Sequence, residues 1–126
     1  MEHCKIEIKT HTRGTVSFYR AKGTFEQDER GVFVRYAHEG EAVVLILERD
    51  AVTMERESLS MRFERGKHTS ARLKAAGHEG SLPLTTRFYS LVQGAISHNA
   101  VLTYELGEPA QKFSLSIRID PDPEER

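Results

Sequence analysis

A chain of 126 residues, 38% of them hydrophobic, is sized for one domain that buries a core without metal or disulfide staples. Its single cysteine, Cys4, excludes an intrachain disulfide, and 18 basic against 19 acidic residues leave a formal charge of -1, which disfavours a dedicated nucleic-acid binder. The longest apolar run, Ala42 to Leu47, is too short to cross a bilayer, and no charged n-region with an apolar h-region opens the chain, so a cytoplasmic protein is expected.

From His3 to Thr10, Cys4, Ile6 and Ile8 alternate with Lys5, Glu7 and Lys9, the period of two that marks a half-buried strand. After a turn over His11 to Gly14, Val16 and Phe18 restart the alternation. Gly23 interrupts a strand that resumes through Phe25, the pattern of a bulge or sharp bend. Gln27 to Gly31 turns into a strand over Val32 to Tyr36, and Glu39, Gly40 and Glu41 form the next turn.

Ala42 to Leu47 is apolar on both parities, so something covers its second face. The candidates are the chain's own terminal strand, a bend, or a second subunit, the last making this strand a homodimer interface. Val52 and Met54, then Leu59, Met61 and Phe63, read as two short strands at hairpin spacing. Thr69, Ala71, Leu73 and Ala75 alternate with His68, Ser70, Arg72 and Lys74. Alanine makes a helix conceivable there, but the strict alternation between Gly66 and Gly77 favours a strand.

The longest alternation runs from Ser81 to Leu106. Leu82, Leu84, Thr86, Phe88 and Val92 share one parity, and Pro83, Thr85, Arg87 and Tyr89 the other. Past a turn between Gln93 and Asn99, Ala100, Leu102, Tyr104 and Leu106 form the next apolar set, so the segment predicts a long antiparallel hairpin. Phe113, Leu115, Ile117 and Ile119 form the last strand, which closes a domain over residues 1–119. Residues 120–126, proline-containing and mostly charged, read as a disordered tail.

Nine or ten evenly spaced short strands without a helix point to an all-β sandwich or barrel, and the consecutive short turns favour an antiparallel up-and-down barrel of about eight to ten strands. Five motifs in order, Val52-x-Met54-x-Arg56, Met61-x-Phe63-x-x-Gly66, Thr69-x-Ala71, Gly80-x-Leu82-x-Leu84-x-Thr86 and Leu102-x-Tyr104-x-Leu106, resemble an uncharacterised bacterial family, the YwiB-like proteins, over nearly the whole chain. The resemblance implies a calycin-like, lipocalin-like barrel and brings no activity, substrate or catalytic residue with it. This chain differs in carrying Leu73 where an aromatic is expected, and in a following turn lengthened by His78 and Glu79.

Six histidines are scattered without metal-ligand spacing, and no nucleophile, phosphate-loop or dinucleotide motif occurs, so no metal, cofactor or catalytic residue is predicted. His98 reads as a polar loop residue and Cys4 as an inert buried thiol. Glu55, Glu57 and Glu64 fall on turns and wet faces, which gives a paired acid-base site little support. Thr86 and Tyr104 stand on inward parity among leucines, and Arg56 shares parity with Val52 and Met54, pointing into one end of the barrel. Buried, these groups need partners from the protein, from water or from a ligand. Ala71, Ala75 and Ala100 on the same parity leave room beside them.

The expected function is binding, without catalysis, of a small, partly apolar molecule inside the barrel. The alternative is an interaction module acting through its outer face, as a homodimer or on an RNA or protein partner. Arg62, Arg72, Lys74 and Arg87, on outward parity near Tyr89, are the candidate basic face for that role.

Overall fold

The structure, a computed structural model, describes residues 2–121. Ten strands follow one another: β1 (Glu2–Thr12), β2 (Thr15–Gln27), β3 (Gly31–His38), β4 (Glu41–Glu48), β5 (Ala51–Arg56), β6 (Leu59–Glu64), β7 (His68–Ala75), β8 (His78–Gln93), β9 (His98–Leu106) and β10 (Gln111–Pro121). Each runs antiparallel to its sequence neighbours, and β1 pairs with β10 to close the ring. The alternation thus builds a closed, ten-stranded, up-and-down barrel with no helix among the described residues. We call the end with the β1–β2, β3–β4, β5–β6, β7–β8 and β9–β10 turns the upper end.

Closure dictates which parity is buried. Cys4, Ile6 and Ile8 face Leu45, Leu47, Phe63, Leu102, Leu115, Ile117 and Ile119 in one shared core. The register of β2 follows from β1: Cys4 sits opposite Gly23, Ile6 opposite Ala21 and Ile8 opposite Tyr19. The inward set of β2 is therefore odd-numbered throughout. Val16 and Phe18, expected to restart the buried face, point outward and stand 46% and 59% exposed.

A second departure lies in the central hairpin. Thr86 pairs with Tyr104, but Phe88 pairs with Thr103, so Arg87 is the extra residue of a β-bulge. Beyond it the faces exchange. Phe88 and Val92, expected inside, are exposed, whereas Tyr89, expected outside, is completely buried and donates its hydroxyl to the Glu48 carbonyl at 2.6 Å.

Pairing around the ring is uneven. The β2–β3 ladder covers only Gly23–Gln27, and the β6–β7 ladder only two pairs, Leu59 with Leu73 and Ser60 with Arg72. These seams divide the barrel into a four-stranded wall, β3 to β6, and a six-stranded wall, β7 through β10 to β1 and β2. Gly23 makes the first seam possible, since a Cβ there would collide with the Arg35 carbonyl oxygen. At the second, the Thr69 hydroxyl donates to the Arg62 carbonyl at 2.6 Å, in place of a ladder bond.

Above Pro83, whose carbonyl accepts the Gly107 N–H at 3.0 Å, β8 parts from β9 and continues with β7 as an exposed ribbon, which β6 joins at Arg72 and Leu73. At the lower end β10 runs past the expected boundary at Ile119, because Asp120 and Pro121 pair with Lys5 and Cys4. The rest of the tail expected to be disordered, 122–126, lies outside the described residues.

Candidate functional site

Thr86 on β8 and Tyr104 on β9 are direct cross-strand partners with both side chains inside. The Tyr104 ring stacks on Phe113 at 5.1 Å and tilts against Phe63 at 4.8 Å. Burial pushes its phenol up to about 12, so it stays neutral and able to donate. Thr86 is fully enclosed, and its Oγ1 has no hydrogen-bond partner among the described residues. Ala71 and Ala100 are also buried, while Ala75 is exposed on the ribbon.

Arg56, the last residue of β5, stands at the upper end beside Glu41, the first of β4, with Nε 3.4 Å from the carboxylate. Glu41 is fixed in turn by the Ser58 N–H at 3.1 Å and the Ser58 hydroxyl at 2.9 Å. The Arg56 Nε is buried without a hydrogen bond, because its contact with Glu41 has the distance of an ion pair but not the alignment. A guanidinium has five donors, so this arrangement leaves capacity for a further acceptor.

Beside Arg56 the β2–β3 seam is filled by rings. Tyr19 lies 5.9 Å from Tyr36 and meets His38 edge-on at 4.5 Å, and its hydroxyl donates to the Ala37 carbonyl at 3.1 Å. The Tyr36 phenol is pushed up to about 12, by burial first and then by Tyr19, with the Arg56 charge working the other way. Sequence reasoning missed this cluster. Tyr36 and His38 share the parity of Val32 and Val34, a signal that was available; Tyr19 was masked by Val16 and Phe18, and Glu41 read as a turn residue.

Three clefts open at the upper end. One of about 340 Å³ runs under the ribbon between Arg56, Leu59, Leu73 and Gly80, and another of about 400 Å³ lies between Glu41, Ser58, Ala75 and His78. They meet at Glu57, Lys74 and Glu79. The third, about 580 Å³, is lined mainly by outward residues of β1, β9 and β10 such as His11, Thr103, Glu105 and Ser114, together with Arg87, and touches Thr12, Tyr104 and Phe113. Arg56 and the Thr86–Tyr104 pair thus belong to different parts of the upper end, with Arg56 and Tyr104 opening on separate clefts.

His98, expected in a loop, is instead the first residue of β9 and only 4% exposed, edge-on to Phe25 at 6.0 Å. Its Nδ1 has no hydrogen-bond partner among the described residues, and burial lowers its pKa. The four residues of the candidate basic face are spread over β6, β7 and β8. Arg62 is held by Glu64 and Glu48, Lys74 by Glu79 and Arg87 by Glu105. Of the doubly apolar strand, Val43, Leu45 and Leu47 point into the core. Val44 and Ile46 are half-buried on the outer face, where Ile46 neighbours Phe33 and Thr53, Arg30 lies over the Phe33 ring and Arg62 donates to Thr53 at 2.9 Å.

Among the described residues no group of three or more histidine, cysteine or acidic side chains is placed to hold a metal, and no helix is long and apolar enough to cross a membrane. No family model and no curated protein matches the chain. Its fold is similar to that of the crystal structure of the YwiB protein from Bacillus subtilis, with a TM-score of 0.77 at 16% identity over 95% of this chain and 90% of that one. The likeness shows a shared fold, in agreement with the five-motif resemblance.

Proposed function

We propose that this protein is a binding barrel that holds a small, partly apolar molecule at the upper end of a calycin-like interior, without transforming it. One observation carries the reading. Arg56 Nε and Thr86 Oγ1 are buried without hydrogen-bond partners among the described residues, and both belong to inward-facing residues toward the upper end. A buried polar atom left unpaired costs about 1–3 kcal/mol, and such groups are normally satisfied.

The aromatic seam of Tyr19, Tyr36 and His38 supports an apolar, flat portion in the ligand, and Arg56 beside it supports an acceptor group. Holding rather than transforming is supported by Cys4, whose thiol is pushed up to about 11 by burial and is no nucleophile at neutral pH. Native mass spectrometry of freshly purified protein tests the reading. A retained small molecule is expected, and Arg56→Met or Tyr104→Phe should reduce its occupancy while the strand-rich circular dichroism is kept. Protein that is mass-clean on purification, and takes up nothing from a metabolite extract, would refute it.

A further inference from the structure

The upper half of β2 has a partner on one side only. β1 pairs with it from Thr15 to Phe25, but the β3 ladder joins only at Gly23, so the backbone of the eight residues Thr15–Lys22 has no ladder partner on that side, and the Tyr19 side chain reaches beneath it to the Ala37 carbonyl. The β1–β2 turn is a two-residue hairpin with positive φ at Arg13 (48°) and Gly14 (76°), and Thr12 pairs with Thr15. That geometry makes Thr12 and Thr15 exchange hydrogen bonds, so the odd residues of β2 bond to β1 and the N–H and C=O groups of Val16, Phe18, Arg20 and Lys22 point to the open side.

The side chains of those same four residues point outward. Val16 and Phe18 are among the most exposed apolar residues of the barrel wall. Around them the outer face of β1 and β2 carries Lys5, Lys9, Arg13, Arg20 and Lys22 against two carboxylates, Glu7, which sits 3.3 Å from Arg20, and Glu26 toward the lower end. This face keeps a net basic excess, whereas three of the four basic residues on β6 to β8 are held in ion pairs. It has an apolar centre and a row of unsatisfied backbone groups along its rim.

We infer that the free edge of β2 is a docking site for an acidic, extended polypeptide segment, which adds a strand to the barrel. Two features select that partner. A ladder of alternating backbone donors and acceptors is complemented by another polypeptide backbone and by no other common polymer. The excess of lysine and arginine selects against a second copy of this chain, whose own edge would bring like charges together, and in favour of acidic residues. Lying antiparallel, the segment places two acids opposite Lys22 and Arg20 and two apolar residues opposite Phe18 and Val16. Its pattern is acid-x-acid-x-apolar-x-apolar.

A fluorescent peptide, Asp-Thr-Asp-Thr-Ile-Thr-Val, titrated with the full chain reads this directly by anisotropy. It should bind, and a scrambled peptide of the same composition should bind at least about tenfold more weakly, the ratio that one lost set of cross-strand contacts supports. Val16→Pro removes an edge donor without touching the β1 ladder and should weaken binding by about tenfold, with Val16→Ala within about threefold. Lys22→Glu should weaken the acidic peptide and restore affinity for a variant peptide with Lys at its first position. On the unaltered protein, bound peptide should slow amide exchange at Val16, Phe18 and Arg20. Equal binding of the scrambled peptide, unchanged exchange at those amides, or displacement of the peptide by single-stranded polyuridine at similar concentration would each overturn the inference, the last by making the face a nucleic-acid surface.

Discussion

Thr86 and His98 are the residues at which the barrel interior departs most from a filled core. Thr86 is wholly enclosed with an unbonded hydroxyl, and Val has nearly its shape without the polar atom. Thr86→Val is expected to raise the thermal stability of ligand-free protein by about 1 kcal/mol while weakening retention of the ligand. A loss of stability in thermal unfolding would mean that the hydroxyl has a partner in the ligand-free state. His98 has a different consequence. Burial lowers its pKa below the 6.5 of an exposed histidine, so the folded state binds its proton less readily than the unfolded one. Stability from this group is intact above the unfolded value and falls as pH drops below 6.5 toward the folded value. Glu64 and Glu105, held low chiefly by hydrogen bonds to Arg62 and Arg87, lose their contribution further down, below their usual 4.5. Urea unfolding between these limits should therefore show a slope with pH that His98→Gln flattens.

The β8 bulge is the element that most changes what the chain presents. Deleting Arg87 would leave Thr86 inward, Phe88 outward and Tyr89 inward, the same facing as now. The deletion should therefore fold, with a loss of about 0.5–3 kcal/mol that includes the Arg87–Glu105 pair. Deleting Thr103 from the opposite strand turns Tyr104 out of the core and should abolish the cooperative transition in denaturant. Most elements were legible from alternation alone, since β1, β9 and β10 each bury the parity that Cys4, Leu102 and Ile117 announce. A bulge is invisible to such a reading: Phe88 and Val92 continue the apolar parity of Leu84, and only the neighbouring ladder shows that one residue is unpaired. Val16 and Phe18 misled for a related reason, because alternation reports that a strand has two unlike faces and not which of them meets the core. The inward placement of Thr86, Tyr104 and Arg56 was legible from parity, whereas the neighbourhood of Tyr19 and Glu41 needed the ring to bring β2, β3 and β4 together.

At the scale of the whole molecule, the two seams make the barrel two walls joined along narrow lines. Backbone amides of the wall interiors, such as Ile6, Leu45 and Leu102, should exchange only through global unfolding. Amides of Lys74 and Leu73, beside the β6–β7 seam, should exchange with opening energies several kcal/mol lower, measured by native-state exchange. Uniform protection around the ring would contradict this division. The pairing of β1 with β10 carries a further implication. Thr12 donates its hydroxyl to the Lys112 carbonyl at 2.7 Å, a contact between residues 100 positions apart. The ring therefore closes between the first and last strands of the barrel. On a ribosome, β1 waits with one bare edge until β10 has emerged, so folding is slow by topology and the nascent chain is most vulnerable to aggregation just before β10 appears.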